Sequence, residues 1–131
     1  MKYIKSVNEL FNTKLEKGEL ILNNYTFNMK SLYLILKCDK SIGGDNIVRA
    51  FCIGTIDNKK VNLIFNTKKN GTVRVFNYTF LSKEEKLMVC EAIEKDEYYL
   101  DIIKEKTDID LRESDDYKRY LIEKDVKKYN L

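Results

Sequence analysis

Histidine is absent from the 131 residues, as are tryptophan, proline and glutamine. Without histidine there is no Ser-His or Cys-His nucleophile pair and no imidazole metal ligand. Three cysteines, Cys38, Cys52 and Cys90, lie far apart and form no Cys-x-x-Cys pair. They exclude a cysteine-only zinc site, and with no export signal they argue for reduced thiols. Each sits in an apolar stretch, so each is expected in the core. Glycine is scarce at five residues. Neither a Gly-x-x-x-x-Gly-Lys phosphate loop nor a Gly-x-Gly-x-x-Gly turn is present. The Gly43-Gly44 pair reads as a plain turn. No apolar run approaches the roughly 18 residues of a membrane span. The opening Met1-Lys2-Tyr3-Ile4-Lys5-Ser6 lacks the apolar stretch of a signal peptide, so the expected location is the cytoplasm, that of the host if the protein is phage-encoded. Asp108-x-Asp110 begins like a calcium loop, but Arg112 stands where the third ligand belongs. No metal and no cofactor is therefore expected.

What remains is the composition of a globular chain, 44% apolar and 34% charged. One domain over residues 1–131 fits the length. The formal charge of +3 conceals two opposite halves. Residues 1–80 hold 13 Lys and Arg against 6 Asp and Glu, and residues 81–131 hold 11 against 15. Residues 91–116 alone carry 11 acids and 4 bases. Such asymmetry points to a charged partner.

Hydrophobic periodicity gives the elements. Ser6-x-x-Glu9 is a capping box ahead of Val7, Leu10, Phe11 and Leu15, which predicts a short helix over 7–17 stopped by Gly18. Leu20 to Phe27 is a first strand. The unbroken apolar run Leu32-Tyr33-Leu34-Ile35-Leu36 predicts a central strand covered on both faces. Ile47–Ile56 is long and β-branched, and Val61–Asn66 alternates. Asn70-Gly71 is a hairpin signal, since a type I′ turn needs positive φ at both central residues. Thr72–Phe80 is expected to close the sheet, its slip in apolar phase near Val75-Phe76 marking a bulge. Ser82-x-x-Glu85 is a second capping box, and the helix after it is expected to break at Asp96, which falls on its apolar face. Ser114 caps a last helix, with Tyr117, Tyr120 and Leu121 turned inward and Lys127-Lys128 at its end. The fold class is α+β: a short N-terminal helix, a four- to five-stranded antiparallel meander, then two to three C-terminal helices.

Two surfaces follow from the charge. On a helical reading Glu91, Glu94, Glu97, Asp101, Glu105 and Asp108 fall within one sector opposite the apolar face. In an unbroken helix the row would run about 25 Å at 1.5 Å per residue. Neighbouring carboxylates about 5–6 Å apart would resemble a line of phosphates. These six are the expected partner-binding residues, and the expected partner is a basic protein, such as one that holds nucleic acid. The plain alternative is a solvated helix face, diluted by Lys95, Lys104 and Lys106 at its edges. The second surface is basic. Lys59, Lys60, Lys68, Lys69 and Arg74 sit on turns and strands among aromatic residues and form the alternative, a nucleic-acid-binding set.

The expectation is a small non-catalytic inhibitor acting by protein contact, of the size and motif poverty common among phage or mobile-element anti-defence proteins such as anti-CRISPR and anti-restriction proteins. A direct nucleic-acid binder is the first alternative. A small-molecule binder or enzyme with a carboxylate, Tyr or Lys site, using the Gly43-Gly44 loop and a pocket against the sheet, is the second. Homodimerisation through an edge strand or the Tyr-rich last helix is compatible with the sequence.

Overall fold

The computed structural model describes residues 15–26, 29–40, 46–58, 60–63 and 72–129. The helix expected over 7–17 therefore lies outside the described residues except for its last three positions. So do the Gly43-Gly44 loop, the Asn70-Gly71 turn, and Lys59, Lys68 and Lys69. Gly18 has φ +98, a left-handed value suited to a stop.

The fold is α+β. Among the described residues, six strands form one antiparallel sheet: β1 (Leu20–Thr26), β2 (Met29–Lys40), β3 (Asn46–Ile56), β4 (Val61–Leu63), β5 (Val73–Val75) and β6 (Thr79–Phe80). Among the described residues, three helices follow the sheet: α1 (Lys83–Lys95), α2 (Glu97–Thr107) and α3 (Asp115–Tyr129), with a 3-10 turn at Leu111–Glu113 before the last.

β1 to β4 pair in sequence order as a meander. The expectation of one closing strand over Thr72–Phe80 is corrected. β5 pairs with β3 at Val48–Ala50, whereas β6 crosses to the other edge and pairs with β1 at Ile21 and Leu22. The physical reason is the free edge available. β4 already occupies Gly54–Ile56 of β3, so only the other end of that long strand is open to β5. The phase slip near Val75-Phe76 marks the end of a strand where a bulge was expected.

The run at 32–36 does lie in the middle of the sheet. Leu32 and Leu34 pack with Leu22, Phe51, Ile53 and helix residues Val89, Ile93, Leu100 and Ile103. Ile35 belongs to the opposite face with Ile21, Val48, Ala50 and Val75. The helices cover the first face, as an amphipathic helix after a half-apolar sheet must.

Two of the cysteines correct the core expectation. Cys90 is buried, but Cys38 and Cys52 are exposed. Phe51 and Ile53 both enter the core. Side chains alternate along a strand, so Cys52 between them points away.

Gly54 has a definite role. A Cβ there would lie 2.1 Å from the Asn62 carbonyl oxygen. Only glycine lets β4 approach β3 this closely.

Candidate functional site

The Ser82 capping box is formed in full. Its hydroxyl accepts from the Glu85 amide at 3.1 Å, and Glu85 Oε1 accepts from the Ser82 amide at 2.8 Å. α1 then buries Val89, Cys90 and Ile93 and ends at Asp96, where φ −128 and ψ 68 leave the helical region. α2 restarts at Glu97 and buries Leu100 and Ile103. Thr107 closes it: the hydroxyl donates to the Ile103 carbonyl at 2.6 Å and accepts from the Ile109 amide at 3.2 Å. Asp108 follows in the left-handed region, φ 61, with its amide donating to the Lys104 carbonyl at 2.8 Å.

All six acids of the expected row are exposed. The row is divided, however. Glu91 and Glu94 stand on α1, Glu97, Asp101 and Glu105 on α2, and Asp108 beyond it. A straight line of carboxylates on one helix is thereby corrected to two short segments meeting at Asp96.

Two of the six are internally engaged. Glu94 is held by Lys124 of α3, and the Tyr120 hydroxyl donates to its Oε2 at 2.8 Å. The Lys124 and Tyr120 hydrogen bonds hold the Glu94 carboxyl below the usual carboxylate range. Burial and the hydrogen bond to Glu94 push Tyr120 up to about 12. Asp101 accepts from Arg112 at 2.9 Å. The same guanidinium donates to Asp110 at 2.8 Å and 3.3 Å, and the Arg112 amide adds a bond of 3.0 Å. These bonds hold the Asp110 carboxyl low. Asp110 is thus engaged by Arg112, with Lys104 4.0 Å from its other oxygen. Among the described residues, no cation forms an ion pair with Glu91, Glu97, Glu105 or Asp108. Two apolar side chains, Leu87 at 49% and Tyr98 at 71% exposure, are carried by the same two helices.

Of the alternative basic set, Lys60 and Arg74 are described, and both are exposed. Lys60 lies in the turn before β4, its amide donating to Asp57 at 2.8 Å. Arg74 lies on β5 directly opposite Arg49, and Arg49 lies opposite Lys37 on β2.

A cleft of about 550 Å³ opens between the Glu16–Leu20 segment, α1 and the start of α3. Leu20, Val89 and Ile93 line it, with Glu19, Asp116 and Arg119 around them. Cys90 also lines it, and burial and the nearby Asp116 push its thiol up to about 11. Burial, then Asp116, raises the Glu19 carboxyl. This cleft arises where segments distant in sequence converge, and no motif announces it.

The Tyr117 ring stacks on Tyr120 with centroids 5.9 Å apart. Tyr117 is buried and Tyr120 half-buried, as expected, but Leu121 is 38% exposed. Residues 121–128 are all exposed, although Lys124 still reaches Glu94 of α1.

Among the described residues, no helix is long and apolar enough to cross a membrane. Compared with protein-family models, curated proteins and solved structures, the chain has no significant match.

Proposed function

We propose that the chain acts without catalysis, by binding a basic surface of another protein along the outer face of α1 and α2. The finer reading is an inhibitor, of phage or mobile-element origin, that occupies a nucleic-acid-binding site on a defence protein. One observation carries the proposal. Five carboxylates on two consecutive helices and a sixth, Asp108, just past the second are all exposed, and four of the six have no ion-pair partner among the described residues. Like charges on one helical face weaken the helix slightly. A partner that neutralises them recovers that loss.

The six therefore divide by role. Glu91, Glu97, Glu105 and Asp108 supply charge to the partner. Glu94 and Asp101 fix α3 and the 3-10 turn against the α1–α2 pair. Complementary charge of this kind accelerates encounter and selects the partner more than it adds raw affinity.

The test is affinity capture from the cells that express the chain, with nuclease added and at two salt concentrations. Glu91→Lys, Glu97→Lys and Glu105→Lys together should abolish capture of a salt-sensitive protein partner. Glu94→Gln with Asp101→Asn should retain it. Unchanged capture by the triple reversal contradicts the proposal.

A further inference from the structure

α3 turns an apolar pair away from the body on which it packs. Tyr117 and Tyr120 join the core, and Lys124 reaches Glu94 of α1. At about 100° per residue these three share one side of the helix, and Ile122 and Val126 fall on the opposite side, one turn apart. Ile122 is 64% exposed and Val126 52%. β-branched residues are weak helix formers, and their apolar surface gains nothing from water. Neither helix propensity nor solvation accounts for them on an outer face.

Four charged residues border the pair. Lys118 and Asp125 lie along one flank, Arg119 and Glu123 along the other. All four are exposed, and none forms an ion pair among the described residues. The helix is also polarised, with Asp115 and Asp116 in its first turn and Lys127 and Lys128 in its last. A second α3 lying parallel would set like charge on like. An antiparallel one sets acidic end against basic end and opposes the two helix dipoles.

A two-fold axis at Ile122 brings that residue onto its own copy, beside Val126. On one flank Lys118 of each copy then stands beside Asp125 of the other. On the other flank Arg119 of each copy stands beside Glu123 of the other. Every contact occurs twice, as a self-complementary patch requires. Moving the axis to Lys124 would pack Ile122 on Val126, but it would bring Asp125 level with Glu123 and carry Lys118 past the end of the opposite helix. Charge therefore selects the first register.

We infer that the outer face of α3 is an interface between two copies of this chain, paired antiparallel through Ile122 and Val126 and matched by Lys118 with Asp125. The helix has 15 residues, so the contact runs at most about 22 Å at 1.5 Å per residue. An interface this small belongs to the weak, transient class. It uses none of the carboxylates of α1 and α2.

The experiment is sedimentation equilibrium of the full chain up to about 1 mM, where weak contacts of this class are populated. The wild type should show a reversible monomer–dimer equilibrium. Lys118→Glu alone and Asp125→Lys alone each set like charges opposite, and each should weaken association at least roughly tenfold. Mixed one to one, these two variants should associate as the wild type does, because the two reversals together restore opposite charge across both pairs. The double variant should also dimerise. Ile122→Asp should be monomeric throughout. All these positions are exposed, so melting temperatures in dilute solution should match that of the wild type. A wild type that stays monomeric overturns the inference. So does a dimer that Lys118→Glu and Ile122→Asp leave unchanged, or a mixture of the two reversals that fails to associate.

Discussion

Gly54 shows how much one residue can decide. Its missing side chain is what admits the Asn62 carbonyl, and any larger residue must push β4 away from β3. Gly54→Ala is expected to destabilise the fold by about 1–3 kcal/mol, the usual range for forcing atoms into a packed site. Urea denaturation measures it, and an unchanged midpoint would mean that β4 is free to shift. Cys52 makes the complementary point. Its apolar neighbours suggested burial, yet those same neighbours, Phe51 and Ile53, are why it faces outward. Composition in a window could not tell the two cases apart, whereas the period of two in a strand does. The roles of the acids were likewise hidden at this scale. Glu94 and Glu91 look alike in sequence, but only Glu94 has Lys124 and Tyr120 across from it, 30 and 26 residues away.

At the scale of elements, helix boundaries were legible because they are written in local chemistry. Ser82 and Glu85 spell both bonds of the capping box, and both form. Ser82→Ala should cost about 1 kcal/mol, read from the same denaturation experiment. The break at Asp96 was legible for a related reason: a carboxylate in the apolar stripe has no place in a continuous helix. The separate paths of β5 and β6 were not legible. Strands of three and two residues carry too little pattern to name a partner.

The contact between α1 and α3 yields a pH dependence. The folded Glu94 carboxyl lies below its ordinary 4.5, and Asp110 below its ordinary 3.8. A carboxyl lowered by folding adds stability that is complete above its ordinary value and is lost as pH falls through the folded one. Thermal melts from pH 6 to pH 3 should therefore show a steeper decline below about pH 4.5 in the wild type than in Glu94→Gln. Equal declines would show that the Glu94 contact with Lys124 and Tyr120 adds nothing to stability.

Over the whole molecule the charge is divided much as the elements are. The strand-forming part of the chain is basic and the helical part acidic. That division was readable from the sequence, and with it the acid-rich helical face. The alignment of Lys37, Arg49 and Arg74 across three strands was not, because these residues are separated by 12 and 25 residues and meet only through the register. The cleft was hidden for the same reason. Burial of Leu100, Ile103 and Thr107 leaves the outer side of α2 to Glu97, Asp101 and Glu105. The strength of such an exposed acidic face depends on ionic strength, since screening acts over about 10 Å at 0.1 M salt.

Carbodiimide footprinting of carboxylates, on the free chain and on its complex with the captured partner, tests the acidic face most directly. Binding through that face predicts protection of Glu91, Glu97, Glu105 and Asp108 in the complex. Glu94 and Asp101, already engaged within the chain, should change little. A complex that leaves the four outer carboxylates as reactive as in the free chain would contradict it.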